Sequence, residues 1–187
     1  MKKINVKILT LCAIFAATSA VLSPWSINIG IIPIGFTHVS IFTAVGLLGA
    51  KYGTISQLVY VALGLIGIPI FAGFNGGIGA LAGPTGGFII GYIVCAFVTG
   101  IIIQIFGKSV VVLILAMYAG WFVTYLFGVC GGILFYFRTV EDYVLNAENF
   151  VKLLSGFVIP FLIGDVIKTA ICVLLIKQLS PITKNRN

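Results

Sequence analysis

Apolar runs recur along the whole of this chain with no gap the size of a soluble domain between them. Their lengths approach the roughly 20 residues that carry a helix across about 30 Å of hydrocarbon at 1.5 Å per residue. Six spanning helices are predicted, at about 6 to 23, 37 to 50, 54 to 70, 84 to 107, 109 to 134 and 156 to 178. The second and third are short for the distance, so they must be tilted, broken or sheltered by neighbours. The expected fold is an all-α integral membrane protein, one polytopic domain over residues 1–187.

Composition agrees. Of 187 residues, 60% are hydrophobic and 8% charged, against roughly 25% charged in an ordinary soluble domain. The net charge of +7 does not indicate nucleic acid, because the cations stand singly between apolar runs instead of forming one basic face. Cys12, Cys95, Cys130 and Cys172 each lie in an apolar run, with no CxxC pair and only His38 as a co-ligand, so neither a metal site nor a disulfide framework is indicated. Met1-Lys2-Lys3 and the apolar stretch to Leu22 imitate a signal peptide, with small residues at Ala17 to Ala20. A retained first span is preferred, because further hydrophobic segments follow.

The cations set the orientation. Lys2, Lys3, Lys7, Lys51, Lys108, Lys177, Lys184 and Arg186 fall on one side of a six-span chain, while Arg138, Lys152 and the acids Glu141, Asp142 and Glu148 fall on the other. Basic short loops stay cytoplasmic, so both termini are expected inside and the uncharged linkers 24 to 36 and 71 to 83 outside. No internal repeat is evident, and no soluble part could hydrolyse a nucleotide. Active transport by such a chain must borrow its energy.

The segment FNGGIGALAGPTGG, residues 74 to 87, holds six glycines. Gly77 to Ala82 fits GxGxxA, yet no strand precedes it and no acid follows near twenty residues on; Gly83-Pro84-Thr85 lacks the lysine of a phosphate loop. At membrane depth such a backbone must be buried in protein or line a cavity. Two readings stay open, a re-entrant turn or a pocket wall in which glycine backbone and the Asn75 amide approach a ligand. Pro84 suits a first helical turn. Gly83, Gly87 and Gly91 form a small-residue ridge suited to helix packing.

Asp165 and Lys168 share one face of the sixth span, about 4.5 Å apart along its axis. Each charge costs about 2.5 to 3.5 kcal/mol within hydrocarbon and must therefore face protein or water. They are either a structural ion pair or a divided site, with Asp165 accepting ligand N–H groups and Lys168 taking an anion. On the first span, Ala13 with Ala17 and Ala16 with Ala20 are spaced for close helix association, within the chain or with a partner. His38 reads as an interfacial hydrogen-bonding residue. Trp25, Tyr136 and Tyr143 read as belt residues, and Glu141 and Asp142 as a solvated loop.

Gly67-Ile68-Pro69-Ile70-Phe71-Ala72-Gly73, then Gly76-Gly77-Ile78-Gly79, Gly83-Pro84-Thr85-Gly86-Gly87-Phe88, and Pro160 to Lys168 with its GDxxK closely resemble the BioY family, in that order. These are the biotin-specific substrate-binding (S) components of energy-coupling factor (ECF) transporters. The resemblance implies the ECF S-component fold and a pocket open to the outside, lidded by the loops after spans one and three. It implies a bacterial cytoplasmic membrane location and no catalytic activity or cofactor, with ATP used only by the partner ATPases. Biotin's ureido head would meet Asn75 and Asp165, its carboxylate Lys168, with Gly76, Gly77 and Thr85 around them. Ala13 and Ala17 would dock the transmembrane coupling (T) subunit, which two ABC-type ATPases drive. Two departures stand out: Ile89 and Ile90 occupy the place where family members can carry an arginine, leaving Lys168 to meet the anion, and Gly35-Phe36-Thr37-His38 replaces a segment usually like PITLQ. The alternatives are an S component for another vitamin and a non-transport membrane assembly protein.

Overall fold

In hydrocarbon every backbone N–H and C=O must be satisfied within its own segment, and the chain answers with helices almost throughout. The computed structural model describes residues 6–28, 33–140 and 143–184. Helix α1 (Val6–Leu22) leads into a short antiparallel ribbon, β1 (Ser26–Asn28) and β2 (Pro33–Gly35), with Ser26 opposite Gly35. The hydrophobic pattern did not anticipate that ribbon. Then come α2 (Thr37–Leu65), a single turn α3 (Gly79–Ala82), α4 (Gly86–Phe106), α5 (Val110–Thr139), α6 (Ala147–Phe157), and α7 (Leu162–Lys184), entered through a 3₁₀ turn at Ile159–Phe161.

α2 is a helical hairpin. Gly49 has φ 80° and ψ 176°, outside helical geometry. Ser40 and Gln57 would be about 25 Å apart on a straight helix, yet Ser19 Oγ of α1 lies 2.9 Å from Ser40 Oγ and 3.1 Å from Gln57 Oε1. A Cβ on Gly53 would come within 2.8 Å of Val45 Cα, so the second arm returns along the first. The turn falls where the sequence divides the second and third spans, beside Lys51.

The first arm is the sheltered centre of the bundle. Ile41, Phe42 and Val45 pack with Cys95 and Ala96 of α4, Met117 and Trp121 of α5, and Cys172 and Ile176 of α7. A helix apolar on every side is stable in such a place. α4 and α5 meet along the expected glycine ridge: a Cβ on Gly87 would collide with the Phe127 carbonyl, and one on Gly91 would sit 3.3 Å from Thr124 Cα. Gly83 stands apart from that seam, above Ala80.

By length and composition, α2, α4 and α5 can cross a bilayer, and α6 with α7 forms a fourth candidate bent by 40°; α1, at 17 residues, is shorter. α5 runs past the expected end at 134 to Thr139, because Phe135-Tyr136-Phe137 offers no breaker. α7 begins at Leu162, later than expected, after the 3₁₀ turn. α6 was not foreseen. It is capped by the Asn146 side chain, which accepts from Asn149 N at 2.8 Å, and it buries Leu153 and Phe157 while Glu148 and Lys152 pair at 2.7 Å on its exposed face. Glu141 and Asp142 lie outside the described residues.

The two alanine pairs of α1 part company. Ala16 is buried against Tyr60 and Val61 of the second α2 arm, with Ala20 packed beside it, whereas Ala13 and Ala17 are exposed.

Candidate functional site

Between the ribbon and the middle of the bundle lies a cavity walled by α2, α4, α5 and α7. It is narrow, with a volume of about 40 Å³. Phe88 and Ile89 come from α4, Trp121, Thr124 and Tyr125 from α5, and Lys168 from α7. Helical spacing explains the α5 set: positions i, i+3 and i+4 share one face.

Lys168 is the cation of this wall. Its Nζ lies 3.3 Å from Asp165 Oδ1 and 5.2 Å from the Trp121 ring centroid, and both charged side chains are almost wholly buried. Tyr125 OH donates to the other carboxylate oxygen, Asp165 Oδ2. Asp165 thus stands behind Lys168 with both oxygens engaged, and fixes the ammonium and the phenol together. Trp121 is itself oriented by a hydrogen bond from Nε1 to Thr169 Oγ1 at 3.3 Å.

Over the mouth, two loops meet. Gly73 N donates to Pro24 O at 3.3 Å, and Trp25 meets Phe74 edge to face at 5.8 Å. Trp25 is exposed in this contact. Beneath it, Tyr60 OH donates to Ser23 Oγ at 2.7 Å and Phe71 closes the cavity. The glycines of the loop serve its own tight path as much as any ligand. A Cβ on Gly76 would meet the Ile68 carbonyl at 2.5 Å, and Gly77, at φ 85°, donates its N–H to Gly64 O at 2.7 Å.

The expected site residues therefore divide. Thr85 and Lys168 line the cavity, and Asp165 backs it. Asn75 and Gly76 line a neighbouring outer recess of about 410 Å³, separated from the cavity by Phe71, Ala72 and Thr85. The Asn75 amide donates to Ala72 O at 3.0 Å within its own turn. Gly77 lines neither space. His38, expected at the interface, is instead buried on the cavity wall, stacked on Trp121 with ring centroids 3.9 Å apart.

A family model described as the BioY family matches residues 1–185. The chain belongs to the BioY family. It is similar to the probable biotin transporter BioY of Pyrococcus horikoshii, 32% identical over 173 residues that cover 92% of this chain and 96% of that one. It is 33% identical over 175 residues to the biotin transporter BioY of Thermotoga maritima, covering 92% and 95% of the two chains. A crystal structure described as the S-component for biotin from an ECF-type ABC transporter superposes with a TM-score of 0.77 at 30% identity, covering 93% of this chain and 90% of that one. At that similarity the BioY-family chain shares the S-component fold.

Within that fold, sequence reasoning missed Trp121, Thr124, Tyr125 and Tyr92 as cavity residues. A tryptophan, threonine and tyrosine on one helical face was the available signal, since polar tips buried in a span need partners.

Proposed function

We propose that the chain is the biotin-capturing S component of an ECF-type importer in the cytoplasmic membrane. It is a binding subunit without catalytic chemistry, taking biotin from outside and delivering it through a coupling subunit driven by two ATPases. In this reading α1, the two arms of α2, α4, α5 and α7 make six crossings with both termini inside. The hairpin at Gly49 supports that count, and the cation distribution supports the orientation.

The observation that carries the reading is the buried Tyr125–Asp165–Lys168 chain on the wall of an aromatic cavity, in a chain that shares its fold with an S component for biotin. Biotin combines an apolar fused ring and chain with a polar urea and a carboxylate. Lys168 supplies the charged donor, matched to the carboxylate; Asp165 and Tyr125 hold its ammonium in place; Trp121 and Phe88 pack the apolar body. Thr85, Asn75 and the Gly76–Gly77 backbone belong to the lid above. The exposed Ala13–Ala17 face is the docking surface for the coupling subunit, since its small residues admit a close second helix.

A second reading, an S component for another vitamin, draws on His38 in the departing segment 35–38. Mass spectrometry of ligand released from protein purified out of its native membrane separates the two. Biotin is expected at near-stoichiometric amount, and a different vitamin in its place would overturn the assignment.

A further inference from the structure

The ring of His38 is held on three sides. It stacks on Trp121 at 3.9 Å with 29° between planes, meets Tyr92 edge to face at 5.1 Å, and places Nε2 3.2 Å from Thr124 Oγ1. The direction of that last bond follows from the threonine. Thr124 Oγ1 donates to Gly120 O, one turn back on α5, at 3.1 Å. A hydroxyl has a single proton, so toward His38 it can only accept. Nε2 therefore carries hydrogen.

No carboxylate of the described residues touches the ring, and an unpaired second cation beside Lys168 in this cavity would be buried at high cost. In the neutral ring that leaves Nδ1 as a bare lone pair. No described residue donates to it. The cavity wall thus includes a fixed ring with one unpartnered acceptor, whereas Asp165 stands behind Lys168 and does not line the space.

We infer that His38 Nδ1 is the acceptor for one N–H of the ligand's cyclic urea, with Thr124 holding the imidazole in the Nε2–H tautomer. This rests on the biotin reading above, and it holds whichever ligand oxygen Lys168 takes. It makes His38 a specificity-determining residue: a ligand whose ring presents an acceptor in place of that N–H would set two lone pairs against each other. Buried polar groups left unmatched in this way reject analogues strongly.

The chain has one histidine, so protein labelled with ¹⁵N-histidine and purified on a histidine-free tag reports this ring alone. The apo spectrum should show Nε2 protonated and Nδ1 bare, and biotin should move Nδ1 toward the shift of a hydrogen-bonded acceptor. His38→Phe, which keeps the stack on Trp121, should weaken biotin by about 10-fold or more, the scale of one buried hydrogen bond. Biotin methylated on both urea nitrogens should bind the wild type and His38→Phe within about 3-fold of each other. A protonated Nδ1 in the apo protein, or an Nδ1 resonance unmoved by bound biotin, overturns the assignment even if the phenylalanine variant does not fold. A wild type that binds no biotin sinks the biotin reading, and this assignment with it.

Discussion

Lys168→Met removes the ammonium from the buried chain and keeps most of the side-chain volume. What it leaves behind sets the magnitude. Asp165 loses its 3.3 Å partner and retains only the Tyr125 hydroxyl. Breaking a buried pair by deleting one member generally costs 3–5 kcal/mol, because the other charge stays buried without compensation. Since the deleted contact is long and the phenol remains, the lower end, about 3 kcal/mol of fold stability, is expected. If the ammonium also receives the ligand's anion, biotin affinity falls by at least about 2 kcal/mol, or about 30-fold.

Both losses are expected from the single substitution, so the double variant Asp165→Asn/Lys168→Met decides between them. With neither charge present, stability should return close to wild type, since replacing a whole buried pair is often neutral. Affinity should stay low, because nothing replaces the cation. Thermal unfolding in detergent and titration calorimetry read the two quantities separately. Affinity that recovers together with stability would refute a ligand role and leave a structural ion pair. The neutral amide of biotin adds the last distinction: its affinity should be nearly indifferent to Lys168→Met, and an undiminished loss would move Lys168 away from the carboxylate.

The paired alanine faces of α1 give a contrast. Ala16→Leu should overpack the buried contact with Tyr60, costing about 1–3 kcal/mol and lowering biotin binding with it, whereas Ala17→Leu, on the exposed face, should bind biotin normally and lose ATP-dependent uptake in vesicles holding the whole complex; normal uptake would remove the docking role. Gly87→Ala drives a methyl into the Phe127 carbonyl, so its unfolding midpoint should drop well below that of Gly79→Ala, where the methyl meets open space; equal midpoints would mean that the seam yields easily. Hydrogen exchange across 71–83 should slow when biotin is added, as expected of a lid that orders over its ligand, and identical exchange with and without biotin would deny the loop that part.

Most of the helical frame was legible because lipid imposes it: α1, α4, α5, α7 and the α2 turn near Lys51 all follow from apolar run length. The amphipathic α6 was not, since eleven residues mixing Glu148 and Lys152 with Phe150, Val151 and Leu153 resemble a polar connection until its buried side is known. Within the site, Lys168 and Asp165 were conspicuous because charge in hydrocarbon is expensive. Tyr92 was invisible for the converse reason: in an apolar run, an aromatic facing a cavity looks the same as one facing lipid. Asn75 shows a third effect. Its amide reads as a ligand group among glycines, yet short polar side chains satisfy their own turn first, and here Ala72 O takes the hydrogen bond.

The glycine seam between α4 and α5 also bears on how the protein behaves outside a bilayer. Where Gly87 lies against Gly131 and the Phe127 carbonyl, main chain touches main chain and little side chain intervenes. Such a contact draws on close-range dispersion more than on the expulsion of solvent, so exchanging lipid for detergent changes it little. α6 and the turn that leads into α7, joined to the rest through larger side chains such as Phe157 and Phe161, depend more on what surrounds them. During extraction the α4–α5 pair should therefore be the last part to come apart. A detergent is best chosen by how well it keeps the α6–α7 end in place, because that end carries Lys168.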